Sequence, residues 1–345
     1  MTQIPTEVLE IAAGSPGDYR RLAVTIGGDV KGAYPGYQLL AGFHFGADPT
    51  FGELPGVFSI GIDPVGGEDL VESWWCQGDV DRSVDGDVRI SQCDDYGIFS
   101  IQVPDTSAEE FRVTVCDVYE QLLGAVRGSS HPHLAKIWNY FPGINIGDDD
   151  KEKYRRFSIG RADAFEKFGV VDTAVPTGTA VGCVRSGNLT VIALASKHDL
   201  LSAENPRQIS AYEYPRQYGP RSPKFSRGGC VSAGSHNLLV YSGTAAIIGH
   251  ESVHPYDVRL QTAETLENLN HLCKALSESC AGGAQLALDE ECILRVYLRD
   301  PDDKDFVAAE LTRLLGTVEA NVVFLNADIC RRELMIEIDG IRVLP

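Results

Sequence analysis

The C-terminal part of the chain contains the segments 291-ECILRVYLRD-300, 304-KDFVAAELTRLLG-316, 321-NVVFLNAD-328 and 333-ELMIEIDGIRVL-344. The first, third and fourth are short apolar or alternating runs, which are typical of strands. The second has apolar residues at helical spacing and ends on a glycine, as many helices do. This order of strands and helices predicts an α+β domain in which helices pack on one sheet.

The preceding residues extend this pattern. Further strands are predicted at 179–185, 189–195, 209–214 and 237–242. A helix is predicted over 258–281, with a buried stripe made of Leu260, Leu266, Leu269, Cys273, Leu276 and Cys280. These elements and the C-terminal ones together predict a C-terminal domain over 181–345.

The first half predicts a similar but less complete order over 1–180. Strands are predicted at 22–28, 38–46 and 57–63, where apolar runs alternate with Gly, Pro and Asp turns. A helix over 107–129 is predicted to start with a capping box of Ser107 and Glu110 and to bury one apolar stripe, made of Phe111, Val115, Val118 and Leu122. A loop over 131–145 and a helix over 152–168 follow. We therefore predict two related halves, each a sheet with helices.

Composition restricts the classes of function. The 345 residues include 49 Asp and Glu against 30 Lys and Arg, a formal net charge of -19, which argues against nucleic acid or an anionic membrane as partner. The nine cysteines include no C-x-x-C pair, so neither a disulfide framework nor a zinc site is predicted. No apolar run reaches membrane-spanning length, and the start lacks the features of a signal peptide. We expect a cytoplasmic protein with reduced thiols and no cofactor.

The last predicted strand carries two acidic residues whose environment the sequence leaves open. In 333-ELMIEI-338, the aliphatic residues alternate with Glu333, Met335 and Glu337. One interpretation is a solvated outer face, the ordinary place for glutamate. The other is a carboxyl group at a cleft, desolvated so that it stays protonated near neutral pH. Cys330 precedes this strand and is explained equally well as a small buried apolar residue.

A basic, proline-rich segment, 204-ENPRQISAYEYPRQYGPRSPKFSRG-228, stands out in this acidic chain. From Arg207 to Arg227 it has five basic residues and one acid, with three tyrosines among them. A second basic cluster is 151-KEKYRRFSIGR-161. Such clusters occur at subunit interfaces. Alternatively, if Arg161 and Arg221 converge, their guanidinium groups could each bind one carboxylate of a small dianion.

Five segments in order resemble the chorismatase family. They are 134-LAKIWNYFPGIN-145, 154-YRRFSIGRADAF-165, 204-ENP-206 with 214-YPRQYGPRSPKFSR-227, 242-SGTAAIIGH-250 and 328-DICRRELMIEIDG-340. The resemblance implies an α+β architecture whose C-terminal half is similar to YjgF-like proteins and trimeric chorismate mutases. It also implies an active site in the cleft between the halves, with chorismate as the small-molecule partner of a monomer.

The resemblance further implies roles for individual residues. Glu337 would be the general acid that protonates the enolpyruvyl vinyl ether, while Arg161 and Arg221 would hold the two carboxylates. The tyrosines that would donate hydrogen bonds are Tyr154, Tyr212, Tyr214 and Tyr218.

Two positions bear on the product. Members of the family that hydrolyse chorismate to a dihydroxycyclohexadiene carboxylate resemble Ser-Ala-Thr and Asp-Ile-Ala-Arg where this chain has Gly243 and Cys330. These two residues resemble the branch that forms 3-hydroxybenzoate and pyruvate by intramolecular displacement, and they do not separate it from a branch that gives 3- and 4-hydroxybenzoate together. A non-catalytic YjgF-like sensor of a dicarboxylate and a mutase are the alternatives of another class.

Overall fold

The computed structural model of the protein describes residues 22–28, 30, 36–184, 187–234, 236–280, 286–316 and 321–344. Within these ranges the α-helices are α1 (Phe111–Gly128), α2 (Lys153–Lys167), α3 (Val258–Cys280) and α4 (Lys304–Leu315). The strands are β1 (Leu22–Gly27), β2 (Tyr37–Phe45), β3 (Val57–Ser59), β4 (Asp63–Pro64), β5 (Leu70–Gln77), β6 (Asp81–Asp85), β7 (Val88–Gln92), β8 (Tyr96–Pro104), β9 (His133–Pro142), β10 (Thr177–Cys183), β11 (Asn188–Ser196), β12 (Leu200–Ala203), β13 (Gly228–Ser232), β14 (Asn237–Thr244), β15 (Ile247–Ile248), β16 (Glu251–Ser252), β17 (Ile293–Leu298), β18 (Val322–Asn326) and β19 (Ile336–Leu344). Short 3-10 helices cover Pro49–Glu53, Asp149–Lys151, Asp172–Ala174, Ala211–Glu213, Arg216–Tyr218 and Pro301–Asp303.

The described strands form three larger sheets and the small ribbon β15-β16. The N-terminal sheet has the order β1-β5-β2-β3, the middle sheet β10-β9-β11-β8-β7-β6, and the C-terminal sheet β12-β13-β14-β19-β17-β18-β4. In the C-terminal sheet β19 lies between β14 and β17 and runs antiparallel to both. The last long strand of the chain is therefore an interior strand, paired on both edges.

Helices cover one face of the middle sheet and one face of the C-terminal sheet. Helices α1 and α2 contribute Phe111 and Phe157 to a buried cluster with the middle sheet, and α3 and α4 contribute Leu269 and Leu311 to a cluster with the C-terminal sheet. This segregation of helices confirms the predicted α+β class. Within the described ranges, no helix is both long and apolar enough to cross a membrane.

The faces without helices share a third core. Phe43 of β2, Trp74 of β5 and Trp138 of β9 have ring centroids 5.5–6.1 Å apart, a range typical of favourable aromatic pairs. Tyr297 of β17 belongs to the same cluster, so all three larger sheets contribute to it. The face of the C-terminal sheet that lies opposite its helices is consequently buried by protein.

The four predicted helices are confirmed, although α1 starts later than predicted. The predicted stripe of α1 is buried along its whole length. The capping box is wrong, because Ser107 Oγ donates to the side chain of Glu110 at 2.8 Å and no side chain caps the first helical N–H groups. In α3, Leu260 is exposed at 49%, whereas Leu266, Leu269, Cys273 and Leu276 are buried.

Two strand assignments were wrong. The predicted loop over 131–145 is instead strand β9, which lies between β10 and β11 in the middle sheet. Its side chains are buried on both faces, so the segment lacks the apolar–polar alternation of a half-exposed strand. The strand predicted at 209–214 is a 3-10 helix over Ala211–Glu213 in a proline-rich loop.

The division of the chain into halves follows from sheet membership. Residue 180 lies inside β10, and both β10 and β11 belong to the middle sheet. From this pairing we propose that the two halves divide between Ser196, where β11 ends, and Leu200, where β12 begins.

Candidate active site

A cavity of about 390 Å³ lies where five separate segments meet. They are the start of α2 with the residues before it, the basic loop before β13, the end of β14 with the start of β15, the turn before α3, and the segment that leads into β19 with the start of that strand. The polar residues that line the cavity are Asp148, Asp149, Glu152, Tyr154, Arg155, Tyr214, Gln217, Tyr218, Arg227, Tyr256, Cys330, Arg331, Arg332, Glu333 and Glu337. Four of the five segments on which the family resemblance rests therefore meet at one site.

Glu337 is the most deeply buried acid that lines the cavity. The isoleucines on either side of it in β19 face the helices, so Glu337 faces the cavity and is 4% exposed. Burial, with a smaller effect of Asp339, raises the pKa of its carboxyl group to about 8, against the opposing effects of Lys136 and Arg227. The solvated-face interpretation is therefore excluded, and Glu337 carries a proton at neutral pH.

Gly243 lies directly against this acid. The pairing of β14 with β19 shifts register between Tyr241 and Thr244, and this irregularity contains Gly243. A Cβ atom built on Gly243 would lie 2.0 Å from Glu337 Oε1 and 2.8 Å from its Cδ. Ser242 Oγ accepts a hydrogen bond from the N–H of Gly178 in β10 at 2.8 Å, which ties this segment to the middle sheet. The acid occupies its place only because residue 243 has no side chain.

Cys330 lines the cavity beside the other oxygen of the acid. Its Sγ is 4.0 Å from Glu337 Oε2. Burial, and then the neighbouring Glu337, raise the pKa of the thiol far above its ordinary value. Cys330 is therefore a neutral thiol that can give or accept a hydrogen bond, and not a preformed thiolate nucleophile.

Three of the four predicted tyrosines line the cavity. They are Tyr154, Tyr214 and Tyr218. The hydroxyl group of Tyr214 accepts a hydrogen bond from Arg227 Nη2 at 2.7 Å. Tyr212 is not among the lining residues; its side chain packs against the core of the middle sheet.

The two predicted arginines are not among the residues that line the cavity. Arg221 forms an ion pair with Glu166 of α2. Arg161 is 2% exposed, and its guanidinium group lies 4.8 Å from the ring centroid of Phe157. Its Nε and Nη2 atoms are buried and have no hydrogen-bond partner in the described part of the chain. Arg161 is thus a buried hydrogen-bond donor close to the cavity, whereas Arg221 is paired with Glu166 outside it.

Most of the positive charge in the basic loop anchors the loop. The ion pairs that do this are Arg207–Glu264 at 2.5 Å, Arg216–Asp150 at 2.6 Å, Lys224–Asp172 at 2.5 Å and Arg221–Glu166. Arg227 differs, because it lines the cavity, is 3% exposed and forms no ion pair with a described carboxylate. Its Nε atom is buried without a partner among these residues. The sequence marks Arg227 as one of the five basic residues of the loop but assigns it no role.

Three further arginines line the cavity, Arg155, Arg331 and Arg332, of which only Arg155 belongs to a basic cluster noted in the sequence. The guanidinium group of Arg331 lies 4.0 Å from the ring centroid of Tyr218. Arg155 is 3.3 Å from Glu152, and Arg332 is 3.5 Å from Asp148. Carboxylates thus compensate Arg155 and Arg332, whereas Arg331 and Arg227 line the cavity without an ion pair to a described carboxylate. The arrangement can bind a small anion and deliver a proton to it from Glu337. Among the described residues, no cluster of three or more His, Cys, Asp or Glu is placed to hold a metal ion.

Known proteins resemble this chain in family, sequence and structure. Residues 72–195 match the family described as Chorismatase FkbO/Hyg5-like, N-terminal. The chain is 32% identical over 278 residues to a chorismatase of Streptomyces rapamycinicus, covering 79% of this chain and 82% of the relative. It is 29% identical over 286 residues to a 3-hydroxybenzoate synthase of Streptomyces hygroscopicus, again covering 79% and 82%. A crystal structure of a chorismatase matches with a TM-score of 0.82 at 26% identity, covering 93% of this chain and 98% of that one.

Proposed function

The chain belongs to the chorismatase family, and from this membership we propose that it converts chorismate into 3-hydroxybenzoate and pyruvate. The observation that carries the proposal is the surroundings of Glu337. A buried carboxylic acid has a neutral thiol, Cys330, 4.0 Å from one oxygen and the backbone of Gly243 against the other. The relative that is named a 3-hydroxybenzoate synthase supports this product.

The first step is a proton transfer to carbon. Glu337 gives its proton to the methylene carbon of the enolpyruvyl vinyl ether. The O–H bond breaks, a C–H bond forms from the π electrons, and the positive charge is shared by the ether oxygen and the adjacent carbon. A pKa near 8 makes the carboxyl group an acid that is protonated at neutral pH and still able to release its proton. The two negative charges of the substrate favour the protonated form further.

The second step is displacement by the substrate's own hydroxyl group. Its oxygen bonds to the neighbouring ring carbon, the bond from that carbon to the ether oxygen breaks, and pyruvate leaves with the electron pair. The hydroxyl proton passes to the carboxylate of Glu337 and restores the acid. The thiol of Cys330 donates a hydrogen bond to the epoxide oxygen as the ring opens, and that oxygen takes up a proton as the ring proton is lost on aromatisation. No water is consumed, since the two products together contain the atoms of chorismate.

Substrate binding is assigned to the buried arginines. We assign one carboxylate to Arg227, which reaches the cavity together with the hydroxyl group of Tyr214. Arg161 is our candidate for the second carboxylate, because its buried Nε and Nη2 groups have no partner among the described residues and it acts electrostatically on Tyr154 in the cavity wall. Charge-assisted hydrogen bonds of this kind are the strong ones in buried sites.

The test is product identification from chorismate. Purified protein is incubated with chorismate, the aromatic and diene acids are separated by chromatography, and pyruvate is measured separately. We expect 3-hydroxybenzoate and pyruvate in equal amounts. A dihydroxydiene acid as the only ring product would show that the protein hydrolyses chorismate and that no internal displacement occurs. A mixture of 3- and 4-hydroxybenzoate would indicate the branch that forms both products. Binding without release of pyruvate would indicate a sensor, and prephenate would indicate a mutase.

A further inference from the structure

A buried charged pair lies behind Glu337 and does not line the cavity. Lys136 of β9 is fully buried, and Asp339 of β19 is 1% exposed. The Nζ atom of Lys136 is 3.7 Å from Oδ2 of Asp339. The pair therefore joins the middle sheet to the C-terminal sheet at the strand that carries the acid.

Hydrogen bonds hold this pair in position. Asp339 Oδ2 accepts from Thr179 Oγ1 at 2.6 Å and from the hydroxyl group of Tyr297 at 3.1 Å. Lys136 Nζ donates to Thr179 Oγ1 at 3.2 Å and to the backbone oxygen of Tyr241 at 2.5 Å. Two donors and an ammonium group converge on Asp339, which makes this residue the anion of the pair.

A purely structural role explains the pair poorly. A buried ion pair adds little net stability, because desolvation cancels most of the attraction, and apolar residues of similar volume often serve as well. Moreover, Asp339 lies two residues from Glu337 on an interior strand, so both carboxyl groups lie on the same face. Placing an anion there opposes a second negative charge on Glu337.

The charged and titratable groups that face Glu337 come from every element around it. They are Asp339 on its own strand, Lys136 on β9, Arg227 before β13, Cys330 in the preceding segment, Tyr154 on α2 and Tyr297 on β17, which pairs directly with Glu337. Cys330, Tyr154 and Tyr297 are neutral, because burial raises the pKa of each. The charged neighbours are thus one anion, which disfavours ionisation of Glu337, and two cations, which favour it.

We propose that Asp339 and Lys136 are positioning residues for the acid: Asp339 keeps the proton on Glu337 until substrate is bound, and Lys136 stabilises the carboxylate that proton transfer leaves. The proposal rests on the proposed function, in which Glu337 is the proton donor. The pair acts through Glu337 and touches no substrate, since neither residue reaches the cavity.

The experiment measures the pH dependence of kcat/KM for chorismate in four proteins: the parent, Asp339→Asn, Lys136→Met and the double variant. The alkaline limb is the fall in kcat/KM as Glu337 loses its proton. Asp339→Asn removes the anion that raises the pKa of Glu337, and Lys136 then favours the carboxylate of Glu337, so the limb should move to lower pH by about 1 unit. In Lys136→Met the limb should move to higher pH by about the same amount. In the double variant both charges are gone, so the pH of its alkaline limb should lie close to that of the parent.

Opposite shifts distinguish this role from packing. Loss of packing lowers the amount of active enzyme but does not change the pH at half-maximal activity. If both single variants keep the limb of the parent, or move it in the same direction, the proposal is overturned. Tyr297→Phe is a milder variant that keeps the ring and removes one donor to Asp339. The negative charge of Asp339 is then less compensated, so the limb should move slightly to higher pH even if the charge variants fail to fold. An unchanged limb in that case also overturns the proposal.

Infrared titration separates this proposal from the proposed function. Burial lowers the pKa of Lys136 to about 8, so Lys136 titrates in the same range as the acid. The carboxylic acid C=O band that is missing in Glu337→Gln reports on Glu337 alone, and its midpoint should move as the limb does. If the band moves as expected but Glu337→Gln keeps its turnover, the assigned acid is wrong and the pair's effect stands. If Glu337→Gln is inactive and the band does not move in the charge variants, the pair's role is wrong.

Discussion

The contact between Gly243 and Glu337 gives a sharp prediction for Gly243→Ala. The added Cβ would lie 2.0 Å from Oε1, whereas ordinary van der Waals contact begins at 3.4 Å. The carboxyl group must therefore move by about 1.4 Å, the difference between these two distances. The cavity of about 390 Å³ beside it gives the carboxyl group room to move, so the fold should tolerate the change.

The expected cost is mainly catalytic. A displacement of about 1 Å of a reacting group can lower the rate about 100-fold, which is about 2.7 kcal/mol of activation free energy. We expect kcat to fall by about this factor, with KM changed much less because the arginines do not move. Part of the product should become the dihydroxydiene acid, since the displaced carboxyl group no longer holds the oxocarbenium species in the pose for internal attack.

The assay is steady-state turnover of chorismate with chromatography of the ring products, and melting curves confirm folding. Gly124→Ala is the matched control. Gly124 lies on the exposed side of α1, and a Cβ there meets nothing within 4 Å. It should keep parent kinetics and gain about 0.5–1 kcal/mol of stability. Parent kcat and an unchanged product spectrum in Gly243→Ala would refute the view that residue 243 fixes the acid.

Glu337→Gln should lose most of its turnover, at least about 100-fold in kcat, while chorismate binding measured by calorimetry stays within a few-fold, because the amide keeps the shape but has no acidic proton; near-parent kcat would reject Glu337 as the acid. In the parent, kcat/KM should be constant below pH 8 and fall above it, because the acid must be protonated and its pKa is about 8; a limb near pH 5 would contradict a buried, protonated carboxyl group. Cys330→Ala should change the ratio of ring products more than the rate of pyruvate release, and an identical product ratio would remove the thiol from the mechanism. Arg227→Met should raise KM for chorismate at least about tenfold, because a charge-assisted hydrogen bond to the substrate is lost. Arg221→Met breaks only an ion pair with Glu166, so its KM should stay near that of the parent. A larger rise in Arg221→Met than in Arg227→Met would identify Arg221 as the residue that binds the carboxylate.

Apolar periodicity along the sequence predicted the helices and most strands. It did not predict a strand whose two faces are both buried. The helical stripe of α1 predicted a helix that the structure confirms, since a single apolar face leaves a clear period. Strand β9 is buried on both faces, so the apolar–polar alternation of a half-exposed strand is absent and the segment is predicted as a loop. Leu260 fits the helical period of α3 but is exposed, because a period along the sequence does not show how far the neighbouring sheet extends along the helix.

The candidate site shows the same division. The motifs singled out Glu337, Cys330 and Gly243, and the structure brings all three together at one cavity. Among the basic residues the sequence could not choose, because charge along the chain does not show where a guanidinium group finds its partner. The fold pairs Arg221 with Glu166 and leaves Arg227 facing the cavity.

By itself, the sequence determined the α+β class, the order of the helices and the family, because periodicity and motifs are local properties of the chain. Only the tertiary structure decided that Glu337 is a protonated acid. Its ionisation depends on burial between two sheets and on charges from distant segments, Asp339, Lys136 and Arg227. Likewise, the alternation in β19 is compatible with either water or protein on the face that carries Glu337. That face is buried because the middle sheet packs against it.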